Sequence, residues 1–390
     1  MSAPAPAPPT VREGIPLGRI AGIPVILAYS WFLIAGFTVI VFGPQLSSGF
    51  PGLGAGAYGI AFIYALLLLF SVLVHELSHA LAAKMYHWPT QKIVLNLWGG
   101  HTQFENFTAT PGRSLVVAFS GPVANLVLAG LGWLLVLSLP QPVTMSAAVF
   151  NTLANIFVWA NLLIGAFNVL PGLPLDGGRL VESIVWKATG SQEKGTVAAG
   201  WAGRIVVVLL VLIFVGWPLL NGQPPNTTDI LFSLFIAGFL WLGASSSITN
   251  ARMRLRLPEV SAGKLSDRAV GMPSSSSVAQ LLAVRGGNPQ LGLVLCNAEG
   301  RPEAVVDAAA LAMVPAAAAA QTPASAVAHA LVAGAYIPES AAGQELVQYL
   351  AQLAGSEYAV IDLRGQVTGV LRQAVVVAAI TGKPDPRFPR

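Results

Sequence analysis

Six apolar stretches, each long enough to cross a bilayer, fill the chain up to about Ser247: roughly Val25 to Phe42, Tyr58 to Ala82, Leu115 to Leu137, Ala147 to Leu170, Trp201 to Leu219 and Ile230 to Ile248. A helix needs about 20 apolar residues to span a hydrocarbon core roughly 30 Å thick, and lipid leaves no water to satisfy an open backbone. The first 250 residues are therefore expected to form a polytopic helical bundle. Composition agrees, with 54% hydrophobic residues, 10% charged residues and a mean hydropathy of +0.67. Beyond Pro258 the apolar runs shorten and charges return, as in a soluble domain.

The loops give an orientation. Arg12 and Arg19 precede the first stretch; Lys84, Lys92 and Arg113 lie between the second and third; Arg179, Lys187 and Lys194 lie between the fourth and fifth; Arg252, Arg254 and Arg256 follow the sixth. The alternate loops, Gly43 to Ala57, Ser138 to Ser146 and Pro218 to Thr228, contain no Lys or Arg. By the positive-inside rule both termini and the soluble domain are expected in the cytoplasm of a cell whose plasma membrane holds the bundle. The net charge of +4 then reflects topology and contact with anionic lipid headgroups. No basic cluster is interleaved with aromatics, so nucleic acid is not an expected partner. Residues 2–9 are a Pro/Ala tail without a basic start, and the first stretch reads as a retained helix. The excess of Arg over Lys and the abundance of Ala and Gly fit a bacterium with a GC-rich genome. The single cysteine, Cys296, excludes an internal disulfide and reads as a strand residue.

Within the second stretch stands His75-Glu76-Leu77-Ser78-His79, two ionisable residue types at membrane depth. On a helix His75 and His79 share one face a turn apart, where two imidazole nitrogens can meet one zinc ion at about 2.0 to 2.1 Å. Glu76 beside them can serve as general base toward a water that the ion activates. The competing reading is a pair of histidines satisfied by hydrogen bonds inside a bundle. A catalytic zinc takes three protein ligands and keeps one open position. Among the carboxylates of the membrane half, Asp176 stands out, because it follows the fourth stretch in Asn168-Val-Leu-Pro-Gly-Leu-Pro-Leu-Asp-Gly-Gly178. Pro171 and Pro174 break the helix, and the glycines let the backbone turn inward. Read alone, the segment is equally an interfacial Pro/Gly loop with an Asp in a turn.

Together the two motifs resemble the paired signatures of the site-2 protease family of intramembrane zinc metalloproteases. Three further stretches agree: Gly18-Arg-Ile-Ala-Gly-Ile-Pro24, Ile93-Val-Leu-Asn-Leu-Trp-Gly-Gly100 and Ser120-Gly-Pro-Val-Ala-Asn125. The resemblance, over about residues 15–250, implies one zinc held by His75, His79 and Asp176, with Glu76 as the base. It also implies that Asn168 lines the active-site region in contact with substrate. A single-span membrane protein is the implied substrate, such as an anti-sigma factor or another membrane-tethered regulator. Gly121, Pro122 and Asn125 read first as helix-packing residues.

The stretch Ile93 to Phe107 alternates and is expected to turn at Gly99-Gly100, giving a small membrane-associated β-hairpin with His101 in its turn. An exposed edge at Ile93, Val94, Leu95, Asn96 and Leu97 is expected to take an unwound substrate segment as an added strand. A hairpin that merely plugs the bundle fits the same pattern.

From Leu265 to Gly382 the sequence repeats a helix, two strands and a short helix. The first set is Ser277 to Ala283, Leu291 to Asn297, Ala304 to Asp307 and Ala308 to Met313; the second is Gly343 to Leu353, Tyr358 to Leu363, Val367 to Leu371 and Gln373 to Thr381. Pro315 to Ala320 reads as a flexible or weakly helical linker between the halves. The repeat resembles a tandem pair of CBS domains, a module that commonly binds adenosine nucleotides. Where that family carries a Ser/Thr and then an Asp, this chain has Asp307 and Ala310 in one half and Arg372 and Val375 in the other. Nucleotide binding is therefore not expected, and a homodimer contact or substrate docking is the expected role.

The fold class expected is a polytopic α-helical membrane protein plus a C-terminal cytoplasmic α/β domain. Its parts are a tail at 1–14, a membrane domain at 15–250, a linker at 251–264, the tandem domain at 265–382 and a tail at 383–390. The expected function is intramembrane zinc endopeptidase. A transporter gated by the cytoplasmic pair, with polar helix residues lining a path, and a zinc-binding scaffold without activity are the alternatives.

Overall fold

The computed structural model describes residues 13–104, 109–223, 226–332, 334–353 and 355–387. The chain divides into two compact units, residues 1–248 and 249–390.

Among the described residues the first element of the membrane unit is a hairpin and not a helix. Strands β1 (Gly14–Ile20) and β2 (Ile23–Ala28) pair antiparallel around Ala21-Gly22. Both turn residues have positive φ, the mirror-image turn whose twist matches a two-residue hairpin, and Gly22 takes it without strain. Val25 to Ala28, expected in the first membrane helix, are thus in a strand. An apolar run with β-branched residues and no length limit in view is ambiguous between the two. Helix α1 (Trp31–Gly49) follows, then α2 (Gly56–Met85), whose 30 residues make about 45 Å at 1.5 Å per residue, longer than the hydrocarbon core. Strands β3 (Thr90–Asn96) and β4 (Gly99–Phe104) come next. Helices α3 (Pro111–Ser138), α4 (Met145–Val169), the short amphipathic α5 (Gly178–Thr189) and α6 (Gln192–Val211) complete the middle of the bundle. Through a π-helical turn α6 runs on into α7 (Trp217–Leu220), and α8 (Thr227–Arg256) closes the set. Among the described residues six helices are long and apolar enough to span a membrane, and their outward faces carry exposed Phe, Trp and Leu, as lipid contact requires. Arg204, halfway along the fifth of these, lies between the Trp201 and Trp241 rings, 4.7 and 4.9 Å from their centroids, and donates to Ser245 Oγ. A cation held that way needs no helix end to reach.

The four strands form one sheet in the order β1-β2-β3-β4. Val25, Ile26 and Leu27 pair parallel with Ile93, Val94 and Leu95, while β4 pairs antiparallel along the other side of β3. Ile23, Val25, Leu27, Ile93 and Leu95 form one buried cluster with Trp31, Ala65 and Ala80, which presses the sheet onto α1 and α2. The hairpin turn is Leu97-Trp98, two residues earlier than expected, since Asn96 pairs with Gly99. Trp98 stacks on Phe239 of α8 at 4.8 Å. His101 consequently lies in β4 and not in the turn. Residues 105–107 of the expected hairpin and residues 1–12 lie outside the described residues.

The C-terminal unit holds α9 (Ala262–Leu265), β5 (Asp267–Pro273), α10 (Val278–Arg285), β6 (Gly292–Cys296), β7 (Pro302–Val306), α11 (Ala308–Ala312), β8 (Ala328–Ala330), β9 (Tyr336–Pro338), α12 (Gly343–Leu353), β10 (Glu357–Ile361), β11 (Val367–Arg372) and α13 (Gln373–Thr381). Its seven strands make one mixed sheet, β8-β7-β6-β5-β11-β10-β9. The repeated helix, strand, strand, helix order stands as expected; β5, β8 and β9 add to it. Two stretches differ from expectation. Ala319 is buried in the first half's core and its carbonyl accepts from Ala279 N, so 315–320 is a packed turn and not a flexible linker. Val260 and Ala262 belong to the second half's core, so 251–264 is not a free connector.

Candidate metal centre

Helix α2 buries its small face, Ala57, Ala61, Ala65 and Ala80, and the same side carries Ser71, His75, Glu76 and His79, all buried. The four-residue spacing puts the two imidazoles one above the other, with ring centroids 4.7 Å apart. Asp176 arrives from the loop between α4 and α5. The three donor atoms converge: His75 Nε2 and Asp176 Oδ2 are 3.0 Å apart, His79 Nε2 and Asp176 Oδ2 3.2 Å, and the two Nε2 atoms 3.1 Å. Ligands about 2.0 to 2.1 Å from a tetrahedral ion stand about 3.3 Å from one another, close to this spacing.

The other ring nitrogens are tied off. His79 Nδ1 lies 2.7 Å from the Val117 carbonyl, which can only accept. His75 Nδ1 lies 2.5 Å from Asn125 Oδ1. With a proton on each Nδ1, both Nε2 atoms and the carboxylate oxygen turn lone pairs toward one another. Such a cluster is repulsive unless a cation sits among them, and two imidazoles with one carboxylate are a donor set suited to zinc.

The loop that delivers Asp176 is seated against backbone. Leu173 N donates to Ala199 O on α6, and Gly177 N donates to Asn168 O at 2.6 Å. A Cβ at Gly172 would run into the backbone of Gly203, one at Gly203 into Leu173 O, and one at Gly178 into Leu173 N. Asn168 therefore holds the loop through its main chain, while its side chain donates to Ile164 O.

Glu76 faces the sheet. Thr102 Oγ1 on β4 donates to Glu76 Oε2 at 2.8 Å, and Gly100 passes so close that a Cβ there would stand 2.6 Å from Glu76 Cγ. A cavity of about 360 Å³ opens over Glu76, His79 and Asp176, walled by Trp88, His101, Thr102, Arg179 and Gln192. Arg179 is anchored by the buried Glu182 carboxylate at 2.7 Å, which also accepts from Gln192.

The expectation for Ile93 to Leu97 is corrected. Ile93, Val94 and Leu95 are buried and β3 is paired on both sides, by β2 and by β4, so it has no edge to offer. Asn96 and Leu97 serve the turn: Asn96 Oδ1 accepts from Trp98 N, and Leu97 N donates to Ser30 Oγ. Among the described residues the edges of this sheet are β1 and β4, and β4 is the one that lines the cavity. Sequence reading also passed over Thr102, Ser71 and Asn161, and took Gly121 and Asn125 for packing. Gly121 in fact lies against both metal-facing nitrogens, where a Cβ would come within 2.7 Å of His75 Nε2. The signal for Ser71, Asn125 and Asn161 was their presence in apolar helices.

Peptidase family M50 matches residues 63–152 and 136–213 of the chain. A putative zinc metalloprotease of Synechocystis is 37% identical over 246 residues, covering 63% of this chain and 62% of that protein. The putative zinc metalloprotease Rip3 of Mycobacterium tuberculosis is 31% identical over 255 residues, covering 58% of this chain and 62% of that protein. The chain thus spans 62% of the length of these two relatives. Among solved structures, the site-2 protease from Methanocaldococcus jannaschii is similar at 24% identity and a TM-score of 0.40, covering 60% of this chain and 94% of that one. The CBS domain of a bacterial CNNM/CorC family Mg2+ transporter is similar at 16% identity and a TM-score of 0.26, covering 40% and 97%.

Proposed function

We propose, from the match of residues 63–152 and 136–213 to peptidase family M50, that this chain is an intramembrane zinc endopeptidase with His75, His79 and Asp176 as the metal ligands and Glu76 as the general base. The observation that carries the reading is the meeting of three potential ligand atoms within 3.2 Å, with a carboxylate from the same helix turn beside them. Zinc bound there supplies Lewis acidity, which polarises the scissile carbonyl and acidifies water. Glu76, steadied at Oε2 by Thr102, takes a proton from the water that attacks the carbonyl carbon. It delivers a proton to the amide nitrogen as the C–N bond breaks, leaving a carboxylate and a free amine.

A helix hides its amides in its own hydrogen bonds, so the substrate must unwind to present an extended segment. The β4 edge, which borders the cavity through Gly100, His101 and Thr102, is where that segment adds as a strand. The substrate is a single-span membrane protein, of the kind an anti-sigma factor or other tethered regulator represents. The loop charges support an orientation with both termini and the C-terminal unit in the cytoplasm. There the tandem unit acts through protein contacts, either pairing two chains or admitting the substrate's tail.

The test is metal analysis together with cleavage of a reporter span by purified protein. One zinc per chain is expected; Glu76→Gln should keep the zinc and lose hydrolysis, and Asp176→Ala should lose metal. Full metal occupancy with full activity in Asp176→Ala would require another third ligand.

A further inference from the structure

Among the described residues, the polar side chains of Ser71, Asn125 and Asn161 are wholly buried on α2, α3 and α4. Each is costly at membrane depth unless fully bonded, and their bonds have a direction. Ser71 Oγ donates its one proton to the Leu67 carbonyl, so toward Asn161 it accepts. Asn161 Nδ2 donates to that oxygen at 3.0 Å and to the Phe157 carbonyl at 2.9 Å. Its Oδ1 must therefore face outward, and it accepts from Asn125 Nδ2 at 2.8 Å. Asn125 Nδ2 also points at the Ser71 carbonyl, 3.4 Å away. That leaves Asn125 Oδ1 toward His75 Nδ1 at 2.5 Å. Carbonyl oxygens cannot donate, so the Leu67, Phe157 and Ser71 carbonyls fix the sense of the whole series.

We propose that Ser71, Asn161 and Asn125 form a one-way chain of hydrogen bonds that sets the tautomer of His75, making Asn161 a positioning residue for the metal although it touches no ligand. The inference rests on the zinc site proposed above. Apart from Asn161, Asn125 Nδ2 has only the longer 3.4 Å contact to the Ser71 carbonyl to hold it. An amide is nearly the same shape either way round. Turned over, it would present Nδ2 to His75, drive the imidazole proton to Nε2 and block the atom that faces the ion. Asn161 holds the amide the right way because its own orientation is pinned by two backbone-anchored acceptors.

The experiment compares zinc affinity, by competition with a chelating dye, in detergent-purified full-length protein carrying Asn161→Leu and the pair Asn125→Asp with Asn161→Leu. Leucine keeps the volume and removes the orienting oxygen, so affinity should fall by about 10- to 100-fold, the usual range for lost outer-shell partners. A carboxylate at 125 can only accept, whichever way it turns, so the double variant should recover wild-type affinity. A packing role for Asn161 would give no such rescue. Wild-type affinity in Asn161→Leu, or a double variant no tighter than the single one, would overturn the proposal. A second measurement needs neither variant: in metal-free wild type labelled with 15N-histidine, the His75 signal, identified by its loss in His75→Gln, should report a proton on Nδ1. A proton on Nε2 of the neutral ring overturns the proposal as well. Failure of wild-type protein to take up zinc would instead refute the metalloprotease reading, while the nitrogen signals would still judge the chain.

Discussion

Replacing Gly121 by alanine separates the metal centre from the fold around it. Glycine inside a helix costs about 1 kcal/mol relative to alanine, so on propensity alone Gly121→Ala should strengthen α3. The site predicts the opposite for the metal. The new Cβ would stand 2.6 Å from His79 Cε1, 2.7 Å from His75 Nε2 and closer still to His79 Nε2, whereas ordinary contact begins near 3.4 Å. Both rings would have to retreat by at least about 0.7 Å, and metal–ligand distances tolerate only about 0.2 Å. Neither ring is free to follow, since His79 Nδ1 is tied to Val117 O and His75 Nδ1 to Asn125. We expect zinc affinity to fall at least about 100-fold, or about 2.8 kcal/mol, with the melting temperature of metal-free protein unchanged or raised. Dye competition and thermal unfolding in detergent read the two quantities. Zinc bound within about threefold of wild type would refute the geometry, and a metal-free protein melting several degrees lower would show that the methyl breaks packing and not the site.

Thr102→Val should remove the hydroxyl that holds Glu76 Oε2; a hydrogen bond to a charged group contributes about 1.5 to 3 kcal/mol, so cleavage should slow by about 10- to 100-fold at unchanged zinc content, and an unchanged rate would free β4 of that task. In the C-terminal unit Asp307 caps α11, accepting from Ala309 N and Ala310 N, while Arg372 is paired with Glu357 and Asp267. With both side chains so engaged, calorimetry of the full chain with ATP or AMP should find nothing tighter than about millimolar, near 4 kcal/mol; a micromolar constant would overturn that. Burial, with Glu303 nearby, pushes the Cys296 thiol above its usual 9.0. Less thiolate at pH 8 means slower alkylation of native protein than of denatured protein, and equal rates would contradict the placement.

The long helices were readable because lipid imposes one rule on every outward side chain, and apolar length alone satisfies it. His75 and His79 were readable because four-residue spacing is local. Val25 to Ala28 were misread since an apolar strand packed between a sheet and two helices has the same composition as the end of a membrane helix. Ile93 to Leu97 showed alternation, which reveals a strand but not its neighbours. Only the fold reveals that β2, 68 positions earlier, takes the edge by pairing Val25 with Ile93. Asn161 was silent for a related reason: its partners Asn125 and Ser71 lie on two other helices, 36 and 90 positions away, and one asparagine in an apolar run does not say whom it meets.

The seat of the Asp176 loop has a consequence for how such a protein can vary. Gly172 against Gly203, Gly178 against Leu173 N and Leu173 N on Ala199 O are contacts of main chain with main chain. Main chain is the one material that substitution does not alter. Lipid-facing positions such as Leu209, Phe214 and Phe235 can drift among apolar residues for as long as the bilayer tolerates them, without moving the carboxylate by a fraction of an ångström. The cost falls on a handful of glycines, where almost any other residue would enlarge the joint. A lineage of such chains would accumulate change at its rim and stay immobile at these joints, so the position of the third ligand would be inherited through shape even where little of the surrounding sequence is.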